Sequence, residues 1–441
     1  MPDNARNWAG NLAYSAARLH TPETVDEVRA IVRGSHKARA LGSRHSFNQV
    51  ADTPGDLIAL DRLGRVVALD RERGTVTVEG GMRYGQLGAY LHAEGYALHN
   101  MASLPHISVA GAVATATHGS GDGNGNLATA VAAMELVTAD GEVVALSREE
   151  HGDLFRGAVV GLGALGVVTK LTLDIEPTFD VAQEMYLRLP LGELYRHFDA
   201  IMAAAYSVSL FTDWHPEHVG RVWLKRRVAP GEALEWPQTF YGALRASEGE
   251  GPAENWTEAG GIPGPWHERL PHFRMGFTPS SGDELQSEYF VPREHAVAAL
   301  RGVGELREQV RPHLMASEVR SVAGDALWLS PGYRGAYIGL HFTWKQDWDG
   351  VQRVLPRIEE VLEPLGAVPH WGKLFTMAPQ RLRAGFERMG DFQALLRSFD
   401  PRGVFRNPFL ETYIFGEDQP APPVSLPQTR RSATLRLRTR T

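Results

Sequence analysis

A histidine set among small residues is the first place where chemistry is possible. In ALGSRHSFNQV, residues 40–50, Gly42, Ser43 and Ser46 surround the bases Arg44 and His45. Glycine has no Cβ, so such a loop lets backbone N–H groups come close to a ligand. The imidazole of His45 is either solvated in an ordinary polar turn or turned toward whatever the loop approaches. The stretch alone leaves both open.

A second kind of signal is polar groups spaced two apart. Gln286 and Glu288, Glu318 and Arg320, and His341 and Thr343 form three such pairs. On a strand, residues two apart share a face. The segments carrying them are otherwise rich in Leu, Val, Tyr, Phe and Trp. One pair would be an ordinary solvated face. Three pairs on separate strands, mixing acid, base and amide, point to a pocket. Lys373, among aromatics in HWGKLF, can supply another cation. A surface with many donors and acceptors and little greasy area suits an alcohol bearing many hydroxyls.

Two glycine-rich stretches need sorting. Residues 161–166, GLGALG, match the G-x-G-x-x-G pattern of dinucleotide sites, which must follow a strand and open a helix. Here the order is reversed: SREEHGDLFRGAVVG before it is helix-like, and VVTKLTLDIEP after it alternates like a strand. A helix-to-strand turn is expected. NMASLPHISVAGAVATATHGSGDGNGN, residues 100–126, is long, nearly uncharged and rich in hydroxyls and backbone N–H groups. It reads either as a cradle for an anionic or heteroaromatic cofactor or as a tightly packed connection.

The elements that must position these groups change character along the chain. Up to about residue 178 they are short and mixed. TPETVDEVRAIVRGS and MRYGQLGAYLHAEGYAL read as helices, while RVVALDRERGTVTVEGG and AVAAMELVTADGEVVAL read as strand pairs, the latter joined at Asp140–Gly141. From 179 to 364 longer strand-like runs dominate: YSVSLFTDWH, RVWLKRRV, ELQSEYFV, EVRSVAGDALWLS and YIGLHFTW, with helical REHAVAALRGVGELREQV between them. That is an antiparallel sheet with helices, expected as a second domain. Pro230–Pro271 reads as a long loop. Residues 365–418 resemble the first part in texture and are expected to return to it. The tail 419–441, with four prolines, then five arginines and no acid, reads as disordered.

Composition bounds the rest. A chain of 441 residues with 43% apolar and 22% charged content has material for two domains. A net charge of −7 gives no reason to expect nucleic acid. The absence of cysteine excludes disulfides, iron–sulfur clusters, thiolate zinc sites and cysteine nucleophiles, and no metal site is expected. No basic start precedes an apolar run, and the longest small-apolar run is too short to span a bilayer. A soluble, cytoplasmic protein is expected, with no membrane partner and as a monomer.

Taken in order, LGSRHSF, NMASLPHISVAGAVATATHGSG, LGALGVVT, YSVSLFTDW, ELQSEY, EVR, HFTW and PHWGK resemble the alditol (xylitol or sorbitol) oxidases of the vanillyl-alcohol oxidase flavoprotein family, over nearly the whole chain to about residue 416. The resemblance implies an α+β, two-domain flavoprotein. An FAD-binding domain of two α/β subdomains would come from residues 1–178 and 365–418, and an antiparallel-sheet substrate cap from 179–364. It implies FAD bonded covalently through His45, cradled by Ala40, Leu41, Gly42, Ser43, Arg44, His45 and Ser46. Glycine is common in the family where this chain has Arg44, which bears on the shape of the loop. Ser103, Ser108, Gly111, Thr115, Ala116, Thr117 and His118 would form a second cofactor loop. Val167 would touch the adenine side, and Arg320, Thr343 and His370 would add contacts.

For chemistry, the resemblance implies Ser103, Glu318, Arg320 and Lys373 around the substrate's terminal carbinol, with Gln286, His341 and Thr343 as further substrate contacts. Hydride would pass from a primary carbinol of an alditol to flavin N5, giving the aldose, and O2 would become hydrogen peroxide. The small Ala102 beside the flavin loop agrees with oxygen access. A base must take the hydroxyl proton; Lys373 and Glu318 are both open for this. A related sugar-lactone oxidase or dehydrogenase is a second expectation. A non-enzymatic polyol-binding protein, which would be colourless, is a third.

Overall fold

A computed structural model describes residues 6–229, 232–247, 254–276 and 284–416, with the side chain of Arg334 excepted. The tail 419–441 lies outside the described residues.

The first unit begins with three short parallel strands, β1 (Arg18–His20), β2 (Ala38–Leu41) and β3 (Asp56–Ala59), in the order β1-β3-β2. Helix α1 (Val25–Gly34) joins β1 to β2. Thr24 caps it by accepting from the Glu27 amide at 3.2 Å, with Asp26 and Glu27 in the first turn, where acids favour the helix dipole. A five-stranded sheet follows, from β4 (Val66–Asp70), β5 (Thr75–Glu79), β6 (Val131–Val137), β7 (Val143–Ser147) and β8 (Val167–Asp174), in the order β4-β5-β8-β6-β7. Helices α2 (Tyr84–Ala93), α3 (Val109–Ala114) and α4 (Arg148–Val159) complete this unit. GLGALG falls between α4 and β8, so the glycines turn a helix into a strand. At Gly166, φ is +155° and a Cβ would strike the Val137 carbonyl oxygen, which only glycine avoids.

The second unit is built on six long strands, β9 (Asp180–Pro190), β10 (Ser207–Thr212), β11 (His218–Val228), β12 (Glu284–Pro292), β13 (Leu314–Val322) and β14 (Tyr337–Lys345). They pair antiparallel in the order β9-β11-β10-β13-β14-β12. Helices α5 (Leu191–Met202), α6 (Ala296–Glu305) and α7 (Trp348–Leu362) cover one face. Their Leu194, Phe198, Leu300, Val303, Leu355 and Ile358 pack with Leu285, Tyr289, Val319, Leu340, Phe342 and Trp344 of the strands. With a period of two, this core consigns residues 286 and 288, 318 and 320, and 341 and 343 to the other face.

Pro230–Pro271 is more than a loop. Its described part holds the short strands Thr239–Phe240 and Ala243–Arg245 on the edge of the cap sheet and the helical turn Trp266–Arg269. Burial outweighs its glycine and proline content: Ala243, Trp266 and Leu270 are core residues.

After the cap the chain comes back. Val368–Pro369 adds to β12, and α8 (Met389–Phe399) joins the core of the first unit through Phe392, Leu395 and Leu396. Lys37, Ala38 and Arg39 hydrogen-bond the carbonyls of Gly403, Val404 and Phe405 at 2.8, 2.8 and 3.0 Å.

Candidate active site

Between the two units lies a cavity of about 1100 Å³. Its floor is the loop after β2. Gly42, Ser43, Arg44, His45 and Ser46 follow that strand directly, and Ala40 and Leu41 end it. Ser43 Oγ accepts from the Ser108 amide at 3.1 Å. A Cβ on Gly42 would strike Ser108 Oγ, and one on Gly111 would meet the same oxygen at 2.7 Å. The two glycine-bearing loops are thus locked into one cradle, with Ser103, Ser108, Gly111, Thr115, Thr117 and His118 on its second side. Arg44 sits at φ +65°, a left-handed backbone that costs a side-chain-bearing residue roughly 1–2 kcal/mol. That is why glycine suits the position.

His45 stacks on Trp8 with ring centroids 5.1 Å apart. Burial, helped by nearby Lys373, lowers its pKa to about 4, so the imidazole is neutral at ordinary pH. Its Nδ1 is buried and has no hydrogen-bond partner among the described residues.

The roof is the open face of the cap sheet. Glu318 stands opposite His341 in register, Glu288 opposite His341 on its other side, and Gln286 opposite Thr343. All six paired residues line the cavity, as do Lys373 and His370 from the returning chain. Arg320 Nη2 donates to Glu318 Oε2. Burial alone would raise the Glu318 pKa, but Arg320 and His272 outweigh it and hold the carboxyl well below the usual range. Glu288 is held down in the same way by His118, 3.1 Å away, and His341. Lys373 Nζ donates to Gln286 Oε1 and lies 4.9 Å from the Phe47 ring centre. Burial brings its pKa down to about 8. His341 Nε2 lies 3.2 Å from Thr343 Oγ1.

Buried polar groups are normally satisfied, so unpartnered ones aimed into a cavity mark ligand positions. Among the described residues that line this one they include His45 Nδ1 on the floor, Ser103 Oγ on the wall and Arg320 Nε on the roof. Together with the glycine-walled cradle, they fit a long, flat cofactor that runs along the two loops and ends beneath the cap.

Two expected contacts fall elsewhere. Val167 is fully buried with Val28, Val32 and Phe405, and its strand neighbour Val168 lines the cavity instead; alternation along β8 turns one in and the other out. Ala116 is fully buried behind the wall, at φ +53°. The cavity also holds residues absent from the sequence reading, among them Arg39, Arg221, Trp256 and His272. A sequence signal existed for the lysine behind His272. In RVWLKRRV, alternation puts Trp223 and Lys225 on one face, and Lys225 is 1% exposed. His272 itself, in PHFRMG, carries no such mark.

Comparison with known proteins agrees with this geometry. Residues 16–147 match the FAD binding domain family, and residues 283–413 match the D-arabinono-1,4-lactone oxidase family. The fold is that of a cholesterol oxidase from B. sterolicum, with a TM-score of 0.74 over 93% of this chain and 96% of that one, at 15% identity. With these matches the chain is placed among the FAD-binding oxidoreductases. Over 420 residues the chain is 50% identical to an alditol oxidase of Streptomyces sp. (strain IKD472 / FERM P-14339), covering 94% of this chain and 100% of that protein. It is 29% identical to an L-gulono-1,4-lactone dehydrogenase of Mycobacterium tuberculosis, covering 91% and 97%. The chain belongs to the alditol oxidase family of flavoproteins. No described helix is long and apolar enough to cross a membrane.

Proposed function

We propose that this chain oxidises the terminal primary alcohol of an alditol such as xylitol or sorbitol to the aldose, with O2 reduced to hydrogen peroxide. The balance is RCH2OH + O2 → RCHO + H2O2. The observation that carries the reading is the cap face, where Gln286, Glu318, Arg320, His341 and Thr343 converge with Lys373 over the cradle. The 50% identity to an alditol oxidase supports it.

FAD, when bound, supplies the acceptor for the hydride. His45 would hold it covalently: a neutral imidazole with a free Nδ1 is a nucleophile, and it stands on the cradle floor. The chain's other tasks are to orient the carbinol and to take its proton. Arg320 is permanently cationic, and its Nε has no partner among the described residues; it can stabilise negative charge growing on the substrate oxygen. Glu318 is already occupied by two donors and held ionised well below its usual range, so it is a weak base and an orienting acceptor. Lys373, at about 8, has a free amine within reach of working pH, which suits a general base. Gln286, His341 and Thr343 would bind the remaining hydroxyls, and Ser103 Oγ would bond the reacting one.

A second reading, oxidation of a sugar lactone, is favoured by the match of residues 283–413 to the D-arabinono-1,4-lactone oxidase family. One assay separates them: peroxide release from purified yellow protein given xylitol, sorbitol or an aldonolactone. Peroxide from the alditols and not from the lactone is expected. The reverse pattern sinks the alditol reading, and a colourless protein that takes up no flavin sinks both.

A further inference from the structure

We propose that His272, held by Lys225, is a positioning residue that fixes Glu318 for the reaction by donating a hydrogen bond of set polarity to its carboxylate. The inference rests on the reading of Glu318 as a group at the substrate carbinol.

The contact itself is short. His272 Nε2 lies 2.6 Å from Glu318 Oε1, while Arg320 takes Oε2. Each carboxylate oxygen therefore has one donor from the chain, and the plane of the carboxylate is set from both ends. What makes His272 a donor is its other nitrogen. Nδ1 lies 3.2 Å from Lys225 Nζ. Lys225 also donates to the carbonyl oxygens of Arg269, Leu270 and Pro271 at 2.8, 2.6 and 3.0 Å. Carbonyls only accept, so three of them require three N–H hydrogens. Burial pushes the Lys225 amine down, but only the ammonium satisfies this set. An ammonium has no lone pair to receive a proton from Nδ1, so Nδ1 shares one of the three hydrogens with the carbonyls, and the ring proton sits on Nε2, facing the Glu318 carboxylate, which can only accept.

The ring cannot turn away. Phe211 and Trp223 meet it edge-on, with centroids 5.4 and 4.8 Å off. Burial, with Lys225 beside it, lowers its pKa to about 4. A neutral donor leaves the charge balance of Glu318 with Arg320 intact. The same segment also reaches the other wall. The amides of His272 and Phe273 both donate to the Ser103 carbonyl, at 3.0 and 3.2 Å. One short segment, tied down by a buried lysine, thus sets a residue of the cofactor cradle and one of the cap.

The groups facing this pair are Arg320 on the same strand, His341 across from Glu318, Ser209 on β10 at 3.5 Å from His272 Nε2, and Lys225 on β11. Glu288 adds its charge through Arg320.

The test uses flavin-loaded His272→Phe, His272→Gln, Lys225→Met and Glu318→Gln, with anaerobic stopped-flow reduction by xylitol across pH. Phe keeps the bulk and removes the donor; the limiting rate should fall about ten-fold or more, with a much smaller change in xylitol affinity. Well below the limb set by Lys373, a second fall in rate from protonation of Glu318 should set in at higher pH than in wild type, because Glu318 has lost a donor. Gln can donate and should recover most of the rate. Nitrogen-15 histidine spectra of the holoenzyme should show His272 protonated at Nε2 and neutral from about pH 5 to about pH 9, with protonation at higher pH in Lys225→Met. A His272→Phe enzyme with unchanged rate and pH profile overturns the inference, as does a wild-type ring protonated at Nδ1. If the Phe variant does not load flavin, the Gln variant and the spectra decide. Glu318→Gln at full rate refutes the role of Glu318 itself; a slow Glu318→Gln beside a normal His272→Phe refutes only the positioning.

Discussion

At the scale of single residues, the floor and roof of the cavity depend on which groups are charged. His45 is neutral, with a buried free nitrogen against the cradle. His45→Ala is therefore expected to release all flavin on acid precipitation; colour that stays with the pellet refutes attachment there. Lys373 is the group whose charge changes near working pH. If its free amine takes the carbinol proton, flavin reduction should rise as pH passes upward through about 8. Lys373→Met should remove that limb and cost about 100-fold or more in rate. A retained limb would assign it to another group. Arg320→Ala should slow reduction by about 100-fold, measured by stopped flow, and an unchanged rate would count against its electrostatic role. His45 and the cap pairs were legible because small neighbours and a period of two are local features. His272 was not, because its role comes from Lys225 and Glu318, 47 and 46 residues away in sequence.

At the scale of elements, the strands and helices of the first unit follow local patterns, and the connections between them do not. The hairpin β6–β7 and the turn in GLGALG were readable from turn residues and periodicity. Whether Val167 or Val168 faces the cavity was not, since both are apolar and only the packing of α1 on β8 decides. The joint between elements is made by Arg39 of β2. It is 2% exposed, and its guanidinium donates to the carbonyls of Gly163 at 2.9 Å, Phe405 at 3.0 Å, Leu162 at 2.5 Å and Val50. Those carbonyls belong to the turn before β8, the returning C-terminal chain and the segment after the His45 loop. Burial lowers its pKa to about 10, so it stays charged. Arg39→Leu would strand several buried acceptors at about 1–3 kcal/mol each. A fall in melting temperature with loss of bound flavin is expected. A variant as stable as wild type would show that the carbonyls find other donors.

At the scale of the whole molecule, the cap and the cofactor-side unit meet through buried histidines, and this should make the joint acid-sensitive. His272 and His370 both lie where the units touch, the first bonded to Ser103 and the second donating its amide to the Glu288 carbonyl at 2.9 Å. Burial lowers their pKa values to about 4 and about 3. The unfolded chain takes up these protons near pH 6.5, and the folded chain does not until about pH 4. Between those values the unfolded state holds more protons, so stability falls as pH falls through that window, by up to about 1.4 kcal/mol per pH unit for each histidine. Below it, the depressed carboxylates Glu288, Glu318 and Asp56 add a loss of the same sign. The holoprotein should therefore melt at a lower temperature at about pH 5 than at about pH 7, with flavin fluorescence rising as the cap separates. His272→Phe should flatten the slope, since it removes one of the titrating rings. Equal melting temperatures at the two pH values would mean that the rings ionise in place, and that the contact between cap and cofactor domain yields to accommodate them.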